Sequence, residues 1–123
     1  MGVLAFACLA IPVHAAGLAP MEKEGFTTSD KKAFYLTVIN PYSHMIEYEL
    51  NAYEPDLKTP ARGVKVNRKS LRVAGKRKQK IVLIVQIPKN QKEREIALCV
   101  HTPSKSKSIL ARVCGRYIGK RYR

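Results

Sequence analysis

Residues 46–53 read Ile-Glu-Tyr-Glu-Leu-Asn-Ala-Tyr. Ile46, Tyr48, Leu50 and Ala52 fall on one side of an extended chain, and Glu47, Glu49, Asn51 and Tyr53 on the other. Period-two alternation of this kind marks a strand with one buried and one wet face. Pro55 stops it. Upstream, Phe34, Leu36 and Val38 alternate with Tyr35, Thr37 and Ile39 until Asn40-Pro41. Downstream, Lys80 to Ile87 reads K-I-V-L-I-V-Q-I, apolar on both sides, which predicts a central strand covered on both faces, closed by Pro88. Ile96, Leu98 and Val100 define the next strand, and Ile109, Ala111 and Val113 the last. Val64 and Val66 suit a short edge strand, while Leu71 and Val73 lead into the Ala74-Gly75 turn. Gly17 to Thr28, broken by Pro20 and Gly25, suits an irregular edge strand that switches sheets. No helical stripe and no internal repeat interrupts the series. About seven strands with short connections predict an all-β sandwich or barrel.

The 123 residues suit one domain with a real core, and 46% hydrophobic content excludes a disordered chain. A formal net charge of +14 attracts anions, whether nucleic acid, lipid headgroups, acidic proteins or a free carboxylate. Met1 to Ala15 contains no Lys, Arg, Asp or Glu, and Val13-His14-Ala15 followed by Ala16 offers small residues where a signal peptidase reads. The stretch is too short to cross a bilayer and lacks a basic start, and it is read as a secretory signal. The expected divisions are a signal at 1–15, a domain at 16–118 and a basic tail at 119–123. Of the Cys residues, Cys8 falls in the leader, which leaves Cys99 and Cys114 as an even pair in an exported chain, hence one disulfide. Both are out of phase with the apolar residues of their strands. If the two strands form an antiparallel hairpin across Pro103 to Ser108, Cys99 can lie opposite Cys114 on the outer face.

The order of these runs carries a resemblance. Phe34 to Pro41 (F-Y-L-T-V-I-N-P), Tyr48 to Glu54 (Y-E-L-N-A-Y-E), Val66 to Val85, with a Leu, a Gly turn, polar residues and then a hydrophobic run, and Arg94 to Val100 (R-E-I-A-L-C-V) follow one another as in a known fold. Together they resemble the N-terminal domain of the PapD-like periplasmic pilus chaperones over roughly residues 17–118. The resemblance implies an immunoglobulin-like seven-stranded β-sandwich, a periplasmic location, and pilin-like or other secreted subunits as partners, with an outer-membrane usher as a further partner. It also implies a mechanism. Family members lend their seventh strand to a subunit that lacks its last strand, which is β-strand addition. A basic pair, an Arg in the first strand and a Lys in the seventh, holds the subunit's terminal carboxylate. Family members usually carry a second domain, and the cleft lies between the two.

Carried over to this chain, the last-strand cation is Arg116, with Arg112 second. The first-strand region has no Arg; Lys23 is its nearest cation, with Glu24 beside it. The donor positions are Ile109, Ala111, Val113 and Tyr117, the better of two phases because the other reads Leu110, Arg112, Cys114, Arg116, Ile118.

Enzymatic readings find no residue set. His14, His44 and His101 are scattered, and His101 near Cys99 gives too few ligands for a metal. Glu47 and Glu49 suit a solvated sheet face, and Gly75-Lys76 lacks the rest of a phosphate loop. The reading is a non-enzyme without cofactor or small-molecule substrate. Lys76-Arg77-Lys78 with Lys80, and Lys120, Arg121 and Arg123 with Tyr117 and Tyr122, mix charge and aromatics as single-stranded nucleic-acid binders do, but export weighs against that partner. The alternative function is a basic envelope-interaction protein on an anionic surface of lipid, nucleic acid or acidic protein. A third reading, the cytosolic major sperm protein type that binds acidic peptides, conflicts with the leader and the Cys pair.

Overall fold

The structure, a computed structural model, describes residues 17–102 and 112–122. It contains β1 (Gly17–Ala19), β2 (Glu22–Thr27), β3 (Lys31–Ile39), β4 (Ile46–Tyr53), β5 (Val64–Val66), β6 (Ser70–Val73), β7 (Lys78–Gln86), β8 (Glu93–His101) and β9 (Arg112–Arg121). A four-stranded sheet of order β1-β3-β7-β5 faces a five-stranded sheet of order β2-β9-β8-β4-β6. This is the expected all-β sandwich with nine strands among the described residues instead of seven. The two extra strands have local causes. The N-terminal edge segment splits at Pro20, with β1 antiparallel to β3 and β2 parallel to β9. Ser70–Val73, read as the approach to a turn, pairs with β4. The signal assigned to residues 1–15 lies outside the described residues. Gly119, Lys120 and Arg121, read as the start of a tail, belong to β9.

The alternation in the sequence becomes the core directly. Phe34, Leu36 and Val38 from β3 and Ile81, Leu83 and Val85 from β7 meet Tyr48 and Leu50 from β4 and Ile96, Leu98 and Val100 from β8. Each is at most 2 % exposed. β7 departs from expectation. It is central in its sheet, but only one of its faces is covered, and Val82 and Ile84 on the other are half-buried. Apolar content on both faces therefore did not mean two buried faces.

Asn40, at the end of β3, is fully buried. Its Nδ2 donates to the carbonyls of Val73 (2.8 Å), His44 (2.9 Å) and Ala74 (3.2 Å), and its Oδ1 accepts from the Tyr42 N–H at 2.9 Å. The Tyr48 hydroxyl donates to the same Oδ1 at 3.5 Å. One side chain thus satisfies the backbone of two turns at the end of the sandwich, where buried carbonyls would otherwise be costly.

Tyr117 does the same where β1 becomes β2. Its ring lies in the core against Phe34, with centroids 5.6 Å apart, and its hydroxyl donates to the Pro20 carbonyl at 2.6 Å. The Arg116 N–H donates to the Met21 carbonyl at 2.8 Å. The hydroxyl folds back over Gly115, where an added Cβ would meet Tyr117 Oη and, at 2.8 Å, Met21 O. Only glycine leaves room for it.

Two predictions follow from this packing. Gly115→Ala costs about 1–3 kcal/mol as an overpacked site. In a Tyr117→Phe background the same change costs less, because the nearest obstruction is gone while Met21 O at 2.8 Å and the ring's Cζ at 2.9 Å remain; urea unfolding of the four proteins of this cycle measures the coupling. Burial also raises the hydroxyl pKa of both tyrosines, that of Tyr48 to about 12, with nearby Tyr42 adding to the effect, and that of Tyr117 still further. A raised folded-state value means the stability is complete below the unfolded tyrosine value near pH 10 and declines as the pH climbs past it. Each ring should remove about 1.4 kcal/mol per pH unit between about 10 and 12. Unfolding titrations above pH 10 should fall on that slope, and tyrosinate absorbance should show two late groups released with unfolding.

Candidate functional site

β8 and β9 form an antiparallel ribbon in which Cys99 faces Cys114, and the two are disulfide-bonded with Cα atoms 4.0 Å apart. Ile96, Leu98 and Val100 belong to the core, so the bridge sits on the opposite face, as the phase of the sequence predicts. Cys99 is nonetheless fully buried. It is a small side chain between strands that carry the larger Asn51, Tyr53 and Arg116, which shade that face.

The same register sets Arg116 opposite Ala97 and therefore diagonal to Glu95. Arg116 Nε and Nη2 each lie 2.8 Å from Glu95 Oε2, and Nη1 lies 4.0 Å from Glu22 Oε2. The guanidinium is more than half exposed. In the parallel β2–β9 pairing Glu22 faces Arg116, Lys23 faces Tyr117 and Glu24 faces Ile118. Residues opposite each other share a sheet face and neighbours along a strand alternate. Glu22, not Lys23, therefore stands on the face of Arg116. Lys23 and Arg116 still line one shallow, open depression of about 300 Å³ with Glu22, Glu24 and Ile118. Glu24, the neighbour of Lys23, is held by Lys120 at 3.1 Å.

Arg112 shares the face of Arg116 but is four residues away, roughly 13 Å along a strand. It lies over the Tyr53 ring, 5.5 Å from its centroid, and donates to the Leu57 carbonyl at 3.4 Å. The two arginines do not converge on one group. Of the expected donor positions, Ile109 and Ala111 lie outside the described residues. Val113 is partly buried against the core, and Tyr117 is turned wholly into it. β9 pairs with β8 from Arg112 to Lys120, but with β2 only from Arg116 onward. Over Arg112–Gly115 no described strand occupies its second edge.

Glu22 and Glu95, the partners of Arg116, were not singled out in the sequence. The signal existed for Glu95. Setting Cys99 opposite Cys114 forces Ala97 opposite Arg116 and brings Glu95 within one diagonal of it. Glu22 depended on the parallel β2–β9 pairing, which no local pattern announces.

No protein-family model and no curated sequence matches the chain. Solved structures do. The E. coli chaperone DraB superposes with a TM-score of 0.67 at 19% identity, covering 87% of this chain and 55% of that one. The SafB chaperone of Salmonella enterica, solved with the SafA pilin, gives a TM-score of 0.69 at 15% identity, over 92% of this chain and 57% of that one. The PapD-like domain 7 of human CEP192 gives 0.64 at 12% identity, over 98% of this chain and 97% of that one. The fold is that of the immunoglobulin-like domain of the PapD-like pilus chaperones, and the chain spans a little over half the length of the chaperones.

The bridge clamps the ribbon that carries Arg112 and Arg116. Replacing both Cys99 and Cys114 by Ala should lower stability by about 3 kcal/mol, the chain-entropy value for so short a loop. Reduction with dithiothreitol should shift the urea midpoint of the parent by the same amount and leave that of the variant unchanged.

Proposed function

We propose that the chain is a periplasmic chaperone-like binding domain that holds pilin-like or other secreted subunits by β-strand addition. The observation that carries this reading is the half-open edge of β9. Residues Arg112–Gly115 offer backbone N–H and C=O groups on one side, next to an exposed arginine at the point where β2 begins. A subunit strand laid along that edge would satisfy both sets of backbone groups and carry its terminal carboxylate to Arg116. The likeness to chaperones, one of them solved with a pilin, supports the same reading. The donor positions are Ile109, Ala111 and Val113; Tyr117 is left out because its ring fills the domain's own core. Lys23 assists from the rim of the depression. An outer-membrane usher is a further partner of this reading, and no catalytic step belongs to it.

Arg116 is already shared between Glu95 and Glu22, so an incoming carboxylate has to take their place. A peptide of alternating apolar residues with a free C-terminal carboxylate should bind more tightly than its amidated form. Arg116→Ala should weaken the free-acid peptide by roughly 2- to 5-fold, the value of an exposed ion pair that replaces existing ones, and leave the amide nearly unchanged. Glu95→Gln should strengthen the free acid. Equal affinity for acid and amide, measured by calorimetry on the parent, would remove the carboxylate role of Arg116.

A further inference from the structure

Among the described residues, the outer face of the four-stranded sheet combines an exposed aromatic ring with lysines that enter no ion pair. Register places Tyr35 beside Val82, Ala33 beside Ile84, Thr37 beside Lys80, and Ile39 beside Lys78. Lys65 of β5 lies beside Ile84 on the other side. Tyr35 is 74% exposed, the most exposed of the large hydrophobic side chains described, while Val82, Ile84 and Ile39 are half-covered. Lys31, Lys65, Lys78 and Lys80 ring this apolar centre, and all four are exposed.

None of the nine acidic residues of the chain lies in β1, β3, β5 or β7. They sit on β2, β4, β8 and the loops, and the five ion pairs among the described residues all involve cations of β8 and β9. The four lysines of this face enter none of them. Positive charge is thus left unneutralised on one side of the sandwich, around an exposed aromatic ring.

We propose that this face docks on the surface of an anionic phospholipid bilayer. Three features select that occupant. The face is roughly 20 Å long and about 10 Å wide, taken from the rise and spacing of its strands, and its charges are spread around it. They do not converge on one point, which suits a carpet of headgroups more than a single carboxylate. Lysine stems can lie along apolar neighbours while their ammonium groups stay at headgroup level, and tyrosine is at home at the same depth. A second copy of the chain is disfavoured because it would set lysines against lysines. The inference does not rest on the carboxylate-binding reading, whose residues lie on the other sheet.

The chain has no Trp, so Tyr35→Trp introduces a single reporter on this face. The full chain is mixed with vesicles of phosphatidylcholine alone or with phosphatidylglycerol. The apolar residues 1–16 are common to every variant, and the reporter isolates the face from them. The expected result is a blue shift and quenching by brominated lipid with phosphatidylglycerol only, both reversed by salt. Lys65→Gln, Lys78→Gln and Lys80→Gln combined should weaken partitioning by about 100-fold, about fivefold for each lysine near a charged surface. Lys58→Gln, Lys89→Gln and Lys92→Gln combined removes the same charge from loops and should weaken it far less. An unshifted reporter on bound protein, an equal loss in the loop variant, or tighter retention by a single-stranded oligonucleotide or polyglutamate than by the vesicles would each overturn the proposal. Loss of peptide binding with vesicle binding intact would strike the carboxylate reading alone.

Discussion

Tyr117 joins the two halves of this sandwich. Its ring closes the core between the sheets, and its hydroxyl reaches the carbonyl of Pro20 at the point where the N-terminal edge leaves one sheet for the other. A buried hydroxyl without a partner would cost more than the bond contributes, so ring position and crossover position are set together. β2 is thereby laid beside β9, and Glu22, Lys23 and Glu24 are brought to Arg116. The β2 side of the candidate site depends on that crossover. The site is therefore coupled to core packing through Gly115, whose missing side chain is the space the hydroxyl uses.

Charge is divided between the two sheets. The five-stranded sheet and its loops carry every carboxylate and all the ion pairs described, whereas the four-stranded sheet carries unpaired lysines. Exposed ion pairs add little to stability. Arg94 with Glu54, at 2.9 Å and with an Arg side chain only 12% exposed, and Arg121, whose guanidinium meets Asp30 and the carbonyls of Ile87 and Gln91, are more enclosed. Arg121 ties the β3–β7 end of one sheet to β9 of the other, and Arg94 reaches the same end by donating to the Gln86 carbonyl at 3.2 Å. The net charge of +14 is thus not a uniform coat. One face holds balanced charges beside the half-open edge of β9, and the other holds bare ones.

Much of the fold was legible because alternation reports burial. Phe34 to Val38 and Ile46 to Leu50 could be assigned inward faces without any partner being known. The Cys99–Cys114 register followed from two strands whose sulfur positions shared the non-core phase. What stayed hidden was set by pairing between distant segments. The split of the N-terminal edge depends on which sheet each half joins, and only the parallel β2–β9 pairing shows that Glu22 shares the face of Arg116. Val82 and Ile84 misled in the other direction. They are apolar without being covered, because a strand's composition reports what it could bury, not what is there to bury it. Tyr117 was legible as part of an apolar phase that either a donor strand or the core could use, and only the packing shows that its ring fills the core.

In the proposed strand-addition reading, Arg116 would meet the partner's carboxylate. A cation left alone at the mouth of a groove would bind any anion, salt included. Held by Glu95 at 2.8 Å and approached by Glu22 at 4.0 Å, it is satisfied before a partner arrives. An incoming carboxylate then gains only the difference between its own hydrogen bonds and those it displaces, a small quantity for groups this exposed. Discrimination would come from the backbone bonds made along Arg112–Gly115, which form only if the incoming chain is extended and apolar at alternate positions. In such an arrangement the charge sets where the strand stops, and the open edge decides whether it binds at all.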